Sequence, residues 1–323
     1  MITAYLNQGT LKPTVITLTN QDLLHDAIWI DLLHPTKAEV VMIKNFIDLE
    51  LPTREDMQEI EPSSRLYKEE GGIFMTATMI SQSDSNDPKN DAVTLILKGN
   101  KLITLRYIEP QAFSLFISHL SKLSIESTHA VCLMISLLEA TIDRLADISE
   151  LIGRGLDDYS QTIFRGQSPD KIKLDYKQLL QRLGSNGGLT AKVWESLVSF
   201  KRLLGFFGQA ASLTFDEDMR LRLTMLTKDI SALSDQANFL TSKVNFLLDA
   251  TLGMVGIEQN NIIKIFSIAA VIFLPPTLIA SIYGMNFVLI PELKLRFGYP
   301  IAIGLMLLSG WLPYQYFKVK KWL

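Results

Sequence analysis

Residues 278–300 read LIASIYGMNFVLIPELKLRFGYP, and the way this stretch is divided decides the fold. An uncharged run, Ile265 to Tyr283 (IFSIAAVIFLPPTLIASIY), stops in the triplet Gly284-Met285-Asn286. A short loop with Glu292, Lys294 and Arg296 follows, then a second uncharged run from Tyr299 to Phe317. A bilayer core of roughly 30 Å needs about 20 helical residues, so each run is long enough to span it. A pair of buried core helices is the alternative. It fits poorly with runs that close the chain and end in an aromatic cluster followed by Lys318, Lys320 and Lys321, which mark a membrane boundary. Two spans after a large N-terminal part put both termini in the cytosol and the loop outside. Lys294 and Arg296 in that loop run mildly against the positive-inside rule.

The rest of the chain narrows the class. It has 323 residues, enough for two domains, and its 48% hydrophobic and 20% charged composition suits a soluble domain joined to a small membrane part. A net charge of −3 gives no support for nucleic-acid binding. Cys132 is the one cysteine, so no disulfide forms within the chain; in HAVCLMISLLEA it reads as a buried small hydrophobe. The start, MITAYLNQGTLKPTVITLTN, lacks the basic and apolar regions of a signal peptide.

Within the first hundred residues, segments 27–33, 71–80, 92–98 and 101–107 read as strands, the last two joined by Gly99-Asn100 as a hairpin. PTKAEVVMIKNFIDLE and TREDMQEI read as helices, the second capped by Thr53 with acids in its first turn. This is an α/β domain with a mixed or antiparallel sheet. From Pro110 onward the pattern is helical. SNGG at 185–188 is expected to break the chain before a helix over 189–213. From Asp216 to Tyr283 one helix of roughly 100 Å is expected; two helices parted near Gly253 are the alternative.

Two membrane helices cannot enclose an aqueous path, so a conduit requires several copies. At 100° per residue, Asn260, Ser267, Thr277 and Ser281 fall within a wedge of about 100° on the first helix. Such a face suits a pore; hydroxyls bonding back to their own helix explain it equally well. Pro275-Pro276 should kink or unwind the helix locally. The four histidines form no zinc pattern, and no phosphate-binding loop, dinucleotide fingerprint or nucleophile elbow occurs. Transport driven by nucleotide hydrolysis therefore lacks its engine, and the chain does not read as an enzyme.

The triplet, PELK, FGYP, the terminal YFKVKKWL and the stretch KVNFLLDATLGMVGIEQNNIIKIFSIAAVIFLPPTLIASIYGMNF together resemble the CorA family of magnesium channels and transporters. The close match covers about residues 243–323; WIDL and TREDMQEIE resemble the family more loosely. Ile290 stands where the family usually has Met before Pro-Glu-Leu. The resemblance implies an α+β membrane protein forming a homopentameric funnel in a bacterial inner membrane. It would have a cytosolic α/β domain (1–125), a helical hairpin region (126–215), a stalk helix (216–264), a pore-lining transmembrane helix (265–283), an external loop (284–298), a second transmembrane helix (299–317) and a cytosolic basic tail (318–323). It implies a selectivity motif of Gly284, Met285 and Asn286, and a pore face of Asn260, Ile263, Phe266, Ala270, Leu274, Thr277 and Ser281. Ile263, Phe266 and Leu274 would form an apolar gate. Mg2+ would be both cargo and regulatory ligand, with Co2+ and Ni2+ as secondary cargo and no organic cofactor or nucleotide. Glu55, Asp56 and Asp229 match the family's regulatory metal positions, although Glu55 and Asp56 also suit a helix first turn. Glu292 would concentrate cations outside or stand as a plain solvated loop acid. A zinc transporter of the same superfamily and a non-conducting membrane scaffold are the rivals.

Overall fold

The computed structural model describes residues 1–7, 11–17, 19–85, 87–120, 129–164, 175–212, 214–286, 297–320 and 322. The chain forms two compact units, Met1–Leu248 and Asp249–Leu323.

The first unit is built on a seven-stranded sheet of β1 (Ile2–Asn7), β2 (Leu11–Ile16), β3 (Ala27–Leu33), β4 (Leu66–Glu69), β5 (Gly72–Ser81), β6 (Lys89–Lys98) and β7 (Lys101–Arg106). Their order is β2-β1-β3-β7-β6-β5-β4. The sheet is mixed: β3 runs parallel to β7, and every other neighbouring pair is antiparallel. The four strands expected from sequence are present, with β1, β2 and β4 in addition. β2 is an edge strand carrying Lys12 and Pro13, residues that interrupt the usual strand pattern but are tolerated where one side of the ladder is unpaired.

β3 is apolar along nearly its whole length because both its faces are covered. Trp29 in its middle is fully buried and stacks on Tyr5 at 4.1 Å. Its neighbour Asp31 is also buried and would be costly there alone. Arg106 grips it with two bonds, Nε to Oδ1 at 3.0 Å and Nη2 to Oδ2 at 2.8 Å. Thr104 donates to the same carboxylate at 2.6 Å. The pair thus crosses the one parallel step of the sheet and locks it.

Short helices α1 (Lys37–Ile47), α2 (Arg54–Gln58) and α3 (Pro62–Arg65) lie between β3 and β4, and α4 (Gln111–Leu120) follows β7. Two 35-residue helices, α5 (Ala130–Phe164) and α6 (Tyr176–Ala210), come next. α6 corrects the expected break at 185–188: it runs through SNGG without interruption. Ser185 Oγ and Asn186 Nδ2 donate to the carbonyls of Gln181 and Arg182, and a Cβ on Gly187 would lie 3.3 Å from Val244. Close packing here outweighs a glycine cost of about 1 kcal/mol per residue. α7 (Glu217–Tyr283) is one unbroken helix of 67 residues, through Gly253, Gly256 and Pro275-Pro276 alike. The local unwinding expected at the prolines does not occur. α8 (Gly298–Val319) carries the second uncharged run.

Candidate functional site

The second unit pairs the C-terminal part of α7 with α8. The Lys264 ammonium lies 5.3 Å from the centre of the Trp322 ring. Twelve residues further along α7, Pro276 faces Gly310, which lies twelve residues before Trp322; a Cβ on Gly310 would stand 3.3 Å from the proline ring. The two segments therefore run antiparallel, with Ile268 and Ala302 buried. On α7 the covered stripe comprises Lys264, Ile268, Ile272, Pro275, Pro276 and Ile279, all buried or half-buried.

The seven residues expected to line a pore sit on the other side. At 100° per residue, their mean direction is about 160° from that stripe. Asn260, Ile263, Phe266, Ala270, Leu274, Thr277 and Ser281 are all exposed, the three large apolar ones by 62%, 73% and 65%. Among the described residues, nothing covers this largely apolar face. Thr277 Oγ1 donates to the Phe273 carbonyl at 2.7 Å, and Ser281 Oγ donates to the Thr277 carbonyl at 2.8 Å. The two explanations of these hydroxyls are thus compatible. Each spends its proton on the helix and keeps its oxygen lone pairs as acceptors, the polarity that water around a cation needs.

Among the described residues, α7 is the one helix long and apolar enough to cross a membrane; its best window has a mean hydropathy of 2.2 and is 6% buried. Gln315, with the tyrosines, tryptophan, glycines and prolines of α8, lowers its mean hydropathy below that of α7. Those aromatics gather at its end, where Phe317 contacts both Tyr316 and Trp322. This packing of α8 against α7 could be found in the sequence by asking which face of the first helix opposes its polar wedge.

At the triplet, the Gly284 N–H still bonds four residues back to Ala280 at 2.9 Å, and the Met285 N–H bonds three back to Ile282 at 3.3 Å. The helix closes by this tightened turn. Gly284 lacks the positive φ of Gly71 and Gly99, so a left-handed cap is not its role. Its missing Cβ matters in another way: a side chain would begin 3.2 Å from the Ala280 oxygen. Met285 is 48% exposed, and Asn286 follows, also exposed. Glu292 lies outside the described residues.

The expected regulatory acids are not brought together. Thr53 and Asp56 form a capping box at the start of α2, with the Thr53 N–H donating to Asp56 Oδ2 at 2.9 Å. Glu55 beside it is exposed. Asp229 is exposed on α7 and acts on acids of α5 instead. Asp143 is pushed above the usual carboxylate range by burial and by Glu139, Asp147 and Asp229. Among the described residues no group of three or more His, Cys, Asp or Glu is placed to hold a metal ion.

Residues 25–320 match the family model described as CorA-like Mg2+ transporter protein. The chain is 36% identical over 308 residues to the magnesium transport protein CorA of Yersinia pseudotuberculosis, covering 95% of this chain and 96% of that one. It is 37% identical over 300 residues to that of Escherichia coli K12, covering 93% of each. The complete CorA magnesium transporter of Methanocaldococcus jannaschii shares its fold, with a TM-score of 0.75 at 17% identity over 100% of this chain and 99% of that one. On the family match and the length of these identities, the chain belongs to the CorA-like Mg2+ transporter family.

Proposed function

We propose that this chain assembles as a homopentamer in a bacterial cytoplasmic membrane and conducts Mg2+ inward through a central pore. One observation carries the reading: the polar and apolar positions of α7 assigned to the pore share the face that α8 leaves bare. Five such faces turned to a common axis cover one another and enclose a path. Both helices cross the membrane in this account, with the N- and C-termini cytosolic.

Magnesium holds six waters in near-ideal octahedral geometry and gives them up reluctantly. A fast conduit therefore has to read the hydrated ion. Asn286 ends the helix as a neutral amide, and five of them present oxygens to those waters without trapping the charge. A carboxylate ring would bind more strongly and release more slowly. Gly284 lets the last turn close, and Met285 packs between copies. Below them, Ile263, Phe266 and Leu274 form a constriction that shuts by dewetting. Glu292 draws cations to the outer mouth.

Each charge moved through 100 mV gains about 2.3 kcal/mol, so a divalent ion gains about twice that and no nucleotide is needed. Such a pull requires a brake. Cytosolic Mg2+ bridging Glu55, Asp56 or Asp229 of neighbouring copies would supply it; among the described residues no one copy groups three such ligands by itself. Co2+ and Ni2+, with the same hydrated geometry, are secondary cargo.

The test is ion uptake by the purified protein in proteoliposomes under an inside-negative potential. Mg2+ flux that falls when internal Mg2+ reaches millimolar levels is expected. Flux of Zn2+ without Mg2+ would assign the chain to zinc transport, and no flux of either would leave a membrane scaffold.

A further inference from the structure

The first unit holds a second polar site, none of whose lining residues is assigned to transport. Between α3, β4, β5 and α6 lies a cavity of about 190 Å³, lined by Arg65, Arg202, Glu195, Ser199 and Trp194 among others. Two guanidinium groups face one carboxylate there, an excess of one positive charge.

The cations are not neutralised by their surroundings. Among the described residues neither arginine takes part in an ion pair. Arg65 is half-buried; its Nε donates to the Glu59 carbonyl, while its Nη1 reaches Thr78 Oγ1 only at 3.4 Å and its Nη2 has no bond of its own among the described residues. Burial pulls its pKa below the ordinary arginine value; Glu195 acts against this and Arg202 adds to it. The two guanidiniums line one cavity and repel each other, a cost that an anion between them would relieve. Ser199 adds a donor: its Oγ accepts the Thr78 N–H at 2.7 Å, which leaves its own proton free. Trp194, 45% exposed, forms an apolar wall.

Size and proton count choose the anion. Sites for whole organic ligands run to about 300 Å³ or more, so this cavity suits a single tetrahedral oxyanion. Glu195 is held at one oxygen by Asn90 Nδ2 at 3.0 Å and can accept from a ligand at the other. It repels an anion with no proton to give. Sulfate has none at neutral pH, and a phosphomonoester, with a second pKa near 6, has lost nearly all of its own by about pH 8. Inorganic phosphate keeps an O–H in both of its neutral-pH forms.

We propose that this cavity is a binding site for inorganic hydrogen phosphate, held by Arg65, Arg202 and Ser199 and selected by its O–H donation to Glu195. The site is independent of the transport reading.

Titration calorimetry on the full chain in detergent, in magnesium-free buffer at about pH 8, tests it with phosphate, sulfate and glycerol 3-phosphate. Phosphate should bind at least about tenfold more tightly than either of the others, the scale of one lost charge-assisted hydrogen bond. Arg202→Gln, at an exposed position, should weaken phosphate about tenfold or more. Glu195→Gln should remove the repulsion and close most of the gap between sulfate and phosphate. The proposal is overturned by any one of three results on proteins with intact helical circular dichroism. These are no phosphate binding, sulfate or glycerol 3-phosphate binding as tightly as phosphate, or a phosphate affinity unaffected by Arg202→Gln.

Discussion

The two units use the same kind of residue in opposite ways. In the first, Trp29, Phe74, Phe113, Phe200 and Phe207 are hidden, and even a charged pair, Asp31 and Arg106, is buried and matched bond for bond. In the second, Phe266, Phe273 and Leu274 are each at least 65% exposed, and among the described residues Ile268 and Ala302 are its buried apolar ones. A water-soluble unit must bring its own apolar partners. The second unit leaves that work to surroundings outside the chain, which the proposed assembly supplies as a bilayer on some faces and other copies on another. Exposure that would be a defect in one unit is therefore the specification of the other.

If this contrast holds, damage to each unit should have a different signature. The largest effect is expected from Asp31→Ala, which strands Arg106 beneath the sheet. It should cost about 3–5 kcal/mol, read as a drop in the thermal midpoint of the full chain in detergent. Gly310→Leu attacks the second unit where α8 meets Pro276. Overpacking there should cost about 1–3 kcal/mol, read as lost ion flux with the first unit's melting unchanged. Thr53→Ala removes the capping box of α2 and should cost about 1 kcal/mol.

The smallest effect concerns pH. The Asp143 carboxyl is raised above its ordinary value of 3.8, first by burial and then by Glu139, Asp147 and Asp229. Folding therefore favours its protonated form, and that contribution fades as pH rises from 3.8 through the raised folded value. Asp143→Asn should flatten this fall and slightly stabilise the chain at neutral pH. A steeper fall, or a loss of stability at neutral pH, would contradict the acid crowding on α5 and α7.

The outline of this division was legible in the sequence, and its misreadings have definite causes. The uncharged runs and the triplet gave α7, α8 and the candidate face because helical period and apolar length are local properties. β1 and β2 went unread because an edge strand tolerates Lys12 and Pro13, and its evidence is a partner far along the chain. SNGG looked like a break because glycine propensity is local, whereas the Val244 side chain that packs against Gly187 comes from α7. At Gly284 the backbone is ordinary, and it is the closeness of the Ala280 carbonyl, 3.2 Å from where a Cβ would stand, that crowds a side chain. Asp56 is occupied by Thr53, and ligands shared between copies cannot meet within one chain.

The central claim is that the bare face of α7 lines water while the covered face does not. Cys132 is the one cysteine and can be replaced, so single cysteines can then be placed along α7 and treated with a water-soluble thiol reagent during Mg2+ flux. Block at positions 263, 266, 270, 274, 277 and 281, with none at 268, 272 and 279, is the predicted pattern. Block at 268, 272 and 279 with the first set silent would place water on the wrong side of the helix and contradict the account.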